Sequence, residues 1–151
     1  MIQCSIQEDI KIINTYSPNI GALQYVRQLV TSMKGEINNN TIIVGDFNTP
    51  LTPMDRSTKQ KINEEIQTLN DTMDQLDLID IYRTFHPKTI NFTFFSSAHG
   101  TFSRIDHILG HKSRLGKFKK TEIIHLLQPQ YSKIRSQLQE KKLLKIQTYG
   151  D

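Results

Sequence analysis

The stretch "IIVGDFNTP", residues 42–50, decides how this chain is read. Ile42, Ile43 and Val44 are β-branched and apolar, the composition of a buried strand. Gly45, Asp46, Phe47 and Asn48 follow at once, and Pro50 closes the run. On an extended segment, residues two apart point to the same side. Asp46 and Asn48 are therefore expected to converge just past the strand's C-terminal end, where open α/β sheets keep their ligands. Asp46 offers a hard oxygen for Mg²⁺ or a proton relay. Asn48 offers a neutral donor for a phosphate oxygen or a water. The alternative is a plain turn, because Gly, Asp and Asn all favour turns.

Working outward, "DIKIINTY", residues 9–16, reads as a strand that stops before Pro18. Ala22, Val26, Leu29, Val30, Met33 and Ile37 recur at helical spacing up to the "NNN" of residues 38–40. A second helix is expected over about residues 57–77, with Ser57 as its cap and Ile62, Ile66, Leu69, Met73 and Leu76 as its apolar stripe. "LIDIYRTF" reads as a short helix or turn ending before Pro87. "NFTFFS" and "TFSRIDHILG" read as two strands joined by a loop containing Gly100, and "TEIIHLL" as another strand. From Ser132 the tail fits an edge strand or a helix. The order implies an α/β or α+β domain with one mixed sheet covered on one face by two helices. Nothing obvious in the sequence covers the other face, so the chain reads as part of a larger fold.

The chain's 151 residues suit one domain, with 36% hydrophobic and 23% charged residues. No apolar run approaches the roughly 20 residues that span a bilayer, and no leader pattern is visible. An intracellular protein, nuclear or cytoplasmic rather than secreted, is expected. Cys4 is the lone cysteine, which excludes an internal disulfide and a cysteine zinc cluster. The formal net charge is +4. "HKSRLGKFKK", residues 111–120, holds five of the 19 Lys and Arg and no acid. It is either a solvated face or a phosphate-facing one.

"TFSRIDHIL" supplies a second acid, Asp106, inside an apolar strand. Alternation places it with Arg104 and Ile108, opposite Ile105 and His107. An unpaired buried charge is very costly, so Asp106 either pairs with a neighbouring strand or orients a histidine.

Together, "TYSPN", "GDFNTPLTPMDRSTKQK", "LIDIYRTFHPK", "FTFFSSAHGTFSRIDHILG" and "KKTEII" resemble the endonuclease domain of long interspersed element retrotransposons. That domain belongs to the endonuclease/exonuclease/phosphatase superfamily. The resemblance covers residues 7 to about 127. It implies a four-layer α/β sandwich of the DNase I-like type, of which this chain resembles the C-terminal half, over residues 1–142, followed by a divergent tail at 143–151. It implies Mg²⁺-dependent hydrolysis of a DNA phosphodiester, with DNA as partner. The catalytic positions carried over are Tyr16, Asp46, Asn48 and Asp106, with Asp46 and Asn48 also as metal positions. Tyr16 lines the site, Asp46 and Asn48 serve as relay and as phosphate or water ligand, and Asp106 orients a histidine. Arg56, Thr93 and Ser103 are the substrate-binding positions. Thr93 contacts phosphate, and the 96–103 loop reaches a DNA groove.

Two departures shape the expected activity. The family's N-terminal half carries an Asn and a Glu that bind metal, whereas Met1 lies shortly before "YSPN". At the other end the family's "S-D-H-S" is replaced by "P-Q-Y-S", with Gln130 at the Asp position and Tyr131 at the His position. Gln has no charge for Mg²⁺, and tyrosine titrates near 10. The expectation is an endonuclease fragment with little activity alone, completed by a chain supplying the missing half. The alternatives are a non-catalytic nucleic-acid-binding remnant and an inert, pseudogene-like product.

Overall fold

The computed structural model describes residues 10–58, 63–126 and 141–148. Its centre is a four-stranded mixed sheet. The strands are β1 (Lys11–Tyr16), β2 (Thr41–Asp46), β3 (Leu78–Asp80) and β6 (Asp106–His111), in the order β1-β2-β6-β3. β1 and β2 are parallel and joined through helix α1 (Ala22–Ser32), and β6 runs antiparallel to both β2 and β3.

Alternation along the strands sorts the core onto two faces. On one, Ile43 of β2 and Leu109 of β6 pack with Val26 and Val30 of α1, with Leu69 and Met73 of α2 (Glu64–Gln75), and with Phe47 and Leu51. The two expected helices thus cover one face. On the other, Ile42 and Ile108 pack with Phe118 and with Ile81 of α3 (Ile81–Phe85), while Val44 lies partly buried against them. Toward β1 this second face is open: Ile12 is 67% exposed and Tyr16 70%.

Helix α2 starts later than the apolar stripe alone implied. Its cap is Asn63, whose Oδ1 accepts the Ile66 amide at 2.9 Å, and Glu64 and Glu65 sit in its first turn where the helix dipole favours acids. Ser57 is not the cap. Its Oγ accepts the Phe102 amide at 2.8 Å and its own amide donates to the Phe102 carbonyl, tying the loop after β2 to the segment around Phe102. "LIDIYRTF" divides: its first three residues form β3, and Asp80 then caps α3 by accepting the Arg83 amide.

"TFSRIDHILG" is two strands rather than one. β5 (Thr101–Ser103) forms a hairpin with β4 (Phe94–Ser96), and after a break at Arg104 and Ile105 the chain enters the central sheet as β6. The cause is the burial of the Arg104 guanidinium, described below, which takes the chain off the hairpin's line. A 3₁₀ turn (Lys112–Lys117) leads to β7 (Phe118–Leu126), which pairs antiparallel with β8 (Lys141–Thr148). Residues 141–148 of the tail are therefore strand. Residues 132–140, and with them Gln130 and Tyr131, lie outside the described residues. No helix among the described residues is long and apolar enough to cross a membrane.

Candidate active site

The site is built where β1 and β2 end and β6 begins. Tyr16 is opposite Asp46 in the β1–β2 register, and Asp46 is opposite Asp106 in the β2–β6 register. Cross-strand partners share a face. The three strands therefore present Tyr16, Asp46 and Asp106 in one row, on the open face of the sheet.

Gly45 makes the row possible. Its φ is +148°, and a Cβ there would stand 1.8 Å from the Thr15 carbonyl oxygen. Only glycine permits so close an approach of β2 to β1.

Asn48 joins the row by a different route from the extended one expected. It has φ +53°, in the left-handed region that Asn tolerates better than most residues. Its backbone amide donates to Asp46 Oδ1 at 2.8 Å, an Asx turn. The segment is therefore a turn, and it is the Asn48 backbone amide that meets the Asp46 side chain. Asn48 Nδ2 donates to Asn19 Oδ1 at 2.7 Å and to the Ser17 carbonyl at 3.1 Å. Asn19, in the same "YSPN" stretch as Tyr16, is a site neighbour that the sequence reading did not single out.

Asp106 has no cation beside it in the β2–β6 register; its partner there is Asp46. Burial pushes its carboxyl above the usual range and the Asp46 charge adds to this, against a hydrogen bond from Thr93. Thr93 is buried, and its Oγ1 accepts the Ile105 amide at 3.1 Å and the Asp106 amide at 3.4 Å. It thereby fixes the start of β6. Ser103 lies at the hairpin's base, where its carbonyl accepts the Thr93 amide and Arg56 bridges it from the loop after β2. The structure thus gathers Tyr16, Asp46, Asn48, Asp106 and Thr93, with Ser103 and Arg56 in a second group leading to the hairpin.

Arg104 does not accompany Asp106. It is fully buried on the far side of the β2 loop, in a network that the sequence reading missed. Arg104 Nε donates to Asp55 Oδ1 at 2.9 Å, and its Nη2 pairs with Asp80. Arg83 Nη2 reaches the same Asp55 oxygen at 2.7 Å. Tyr82 lies under the Arg104 guanidinium, 4.9 Å from it. Burial works to raise the carboxyls of Asp55 and Asp80. At Asp55 the Arg104 charge outweighs it and lowers the carboxyl, and at Asp80 a contact with His107 together with the Arg104 charge holds it well below the usual range. "MDRST" contained the signal: Asp55 stands beside the Arg56 that the reading chose instead.

His107 is buried against Phe47, with ring centroids 5.3 Å apart. Its Nε2 donates to the Thr49 carbonyl at 2.8 Å, and Nδ1 lies 3.4 Å from Asp80 Oδ2. It is committed to the loop and cannot serve Asp106. Asp55, Asp80 and His107 do bring three ligand-type atoms within 4.8 Å of one another. Arg83 and Arg104 already occupy those carboxylates, and a dication there would displace a guanidinium. Asp46, whose register partner is a second carboxylate, Asp106, is a hard oxygen donor of the kind a dication takes. In the basic 111–120 run, Arg114 hydrogen-bonds Asn40 and Lys112 lies 3.6 Å from Asp77.

The sheet, the "GDFN" turn and the acid row define an α/β fold of the DNase I-like type, and the chain belongs to the endonuclease/exonuclease/phosphatase family, which residues 10–127 match. It is similar to the transposon TX1 uncharacterized 149 kDa protein of Xenopus laevis, at 28% identity over 102 residues. That similarity covers 64% of this chain and 8% of the TX1 protein. Its fold resembles the 3′ phosphatase NExo from Neisseria bound to a product DNA hairpin, with a TM-score of 0.71 at 18% identity, over 92% of this chain and 61% of that one. It also resembles the endonuclease domain of TRAS1, a telomere-specific non-LTR retrotransposon, with a TM-score of 0.54 at 16% identity, over 73% of this chain and 48% of that one.

Proposed function

We propose that this chain is part of a Mg²⁺-dependent DNA endonuclease of the retrotransposon type, with the row Tyr16–Asp46–Asp106 and the adjoining Asn48 as its cutting site. The observation that carries the reading is the pair of half-buried carboxylates, Asp46 and Asp106, opposite each other in register at the mouth of the sheet. Where this chain buries acids it pairs them with cations, as Asp55 and Asp80 are with Arg83 and Arg104; the half-buried Asp46 and Asp106 face each other instead. Leaving Asp46 and Asp106 opposed is what a site for a cation and a phosphate requires. Asp46 and Asn48 would hold Mg²⁺, which when bound polarises a phosphoryl oxygen and lowers the pKa of water.

The chain's own residues do the rest. Asn48 Nδ2 is held by Asn19 and Ser17, which leaves its Oδ1 to accept a hydrogen bond from a water. The carboxylate of Asp46 accepts a proton from that water. Tyr16, exposed at the end of the row, flanks the substrate. Thr93 holds Asp106 in place.

The reading includes impaired activity for this chain alone. The family position for the histidine that Asp106 would orient is Tyr131, and Gln130 precedes it. Among the described residues, His107 points away and is bound to Thr49. General acid–base help is worth about 10² to 10⁴ in rate. The open face carrying Ile12 and Tyr16 is the face that a second sheet would cover in a four-layer arrangement.

The test joins this chain to the N-terminal half of an intact relative and follows nicking of supercoiled plasmid in Mg²⁺. The double variant Gln130→Asp, Tyr131→His should nick about 10²-fold faster or more than the unaltered sequence. Equal rates would overturn the assignment of those two positions.

A further inference from the structure

The loop from Phe47 to Asp55 carries Asn48, and the segment from Arg104 to His107 carries Asp106. These two pieces of chain are tied together at three points. The Phe47 amide donates to the Ile105 carbonyl at 2.8 Å. His107 Nε2 donates to the Thr49 carbonyl at 2.8 Å. The Arg104 amide donates to the Asp55 carbonyl at 2.7 Å, and its guanidinium binds the Asp55 side chain.

Asp55 is the joint of this arrangement. Its Oδ2 accepts the Leu51 and Thr52 amides at 3.1 and 3.0 Å, closing the loop on itself. Its Oδ1 accepts from Arg83 of α3 and from Arg104. One fully buried carboxylate therefore links the loop, α3 and the entry to β6. Asp80 holds the other end of the Arg104 guanidinium, which fixes the plane of the fork.

We propose that Asp55, acting through Arg104, is the positioning residue of the site. The separation of Asn48 from Asp106 is set by this buried ion pair and not by the sheet register alone. The sheet does fix Asp46 against Asp106, because both are in paired strands. Asn48 is past the end of β2, in a left-handed conformation, and its placement depends on where the loop is anchored. The inference rests on the functional reading above for what the placement is for. The placement itself is a property of the free chain.

The experiment is residue-resolved amide hydrogen exchange and ¹H–¹⁵N spectra of the full chain and its Asp55→Asn variant, with neither DNA nor metal present. Asp55→Asn keeps the shape and removes the charge. The expected result is at least a tenfold loss of protection at the Phe47, Leu51, Thr52 and Arg104 amides, with Ile13 and Ile43 unchanged. The Asn48 side-chain amide and the Asp106 backbone amide should shift, and Asp55→Glu should restore them in part. A uniform loss of protection would reduce Asp55 to a general stabiliser and overturn the proposal. So would unchanged exchange at the loop. If Asp55→Asn does not fold, Arg104→Lys keeps the charge but loses the fork that joins Asp55 to Asp80, and the same local pattern is required of it. Because no cleavage is measured, a failed nuclease test leaves this result intact, and the reverse also holds.

Discussion

Asp46 and Asp106 stand directly opposite each other on neighbouring antiparallel strands, two carboxylates paired in register. Burial and the Asp46 charge both raise the Asp106 carboxyl. In the window between about 4, the value of a free Asp, and its raised value, the folded chain binds more protons than the unfolded one. Stability therefore falls as pH rises through that window. Asp106→Asn should stabilise the protein at pH 7 by about 0.5 kcal/mol, a modest figure because the group is partly exposed and screened. The gain should vanish below about pH 4. Urea midpoints at the two pH values check it.

Asp55 and Asp80 have the opposite sign. Their carboxyls are lowered because their cationic and hydrogen-bonding partners, Arg104 first at Asp55 and His107 then Arg104 at Asp80, outweigh burial. The stability they contribute is complete above the free value of about 3.9 and is lost as pH falls from there toward their folded values. Arg104→Ala leaves Asp80 without an arginine and Asp55 with Arg83 alone, and should cost about 3–5 kcal/mol at pH 7. It should also flatten the stability loss on acidification below about pH 4, measured by denaturant titration across that range.

Gly45→Ala tests the close approach of β2 to β1. The added carbon would meet a backbone oxygen, which no side-chain rotation relieves. The expected loss is on the order of 3 kcal/mol. Thermal melting reads it, and the amides of the β1–β2 ladder should lose protection first.

Thr93→Val removes the acceptor of the Ile105 and Asp106 amides and the hydrogen bond that lowers the Asp106 carboxyl. The cost should be about 1–3 kcal/mol, that of a buried unsatisfied donor. The Asp106 titration, followed by carboxyl ¹³C NMR, should move to higher pH.

Much of the sheet was legible because it is local. The β-branched run of β2 and the helical stripe of α1 each carry their own periodicity, and the acid–amide pair follows directly from "GDFN". What the sequence hid is non-local. Alternation continued "TFSRIDHILG" as one strand and put Arg104 beside Asp106. The partner that breaks the strand is Asp55, 49 residues away. The cap of α2 was misplaced for a similar reason, since Ser57 is taken by Phe102 in the hairpin. The extended segment expected to bring the Asn48 and Asp46 side chains together is an Asx turn in which the Asn48 backbone amide meets Asp46, because a strand end and an Asx turn share the same residues.

The central claim is that Asp46 and Asp106 form the cutting site, and plasmid nicking tests it most directly. In the chain joined to a relative's N-terminal half and carrying Gln130→Asp and Tyr131→His, the added Asp46→Ala or Asp106→Ala should each reduce Mg²⁺-dependent nicking by about 10² or more. Nicking that continues undiminished in both variants would contradict the account.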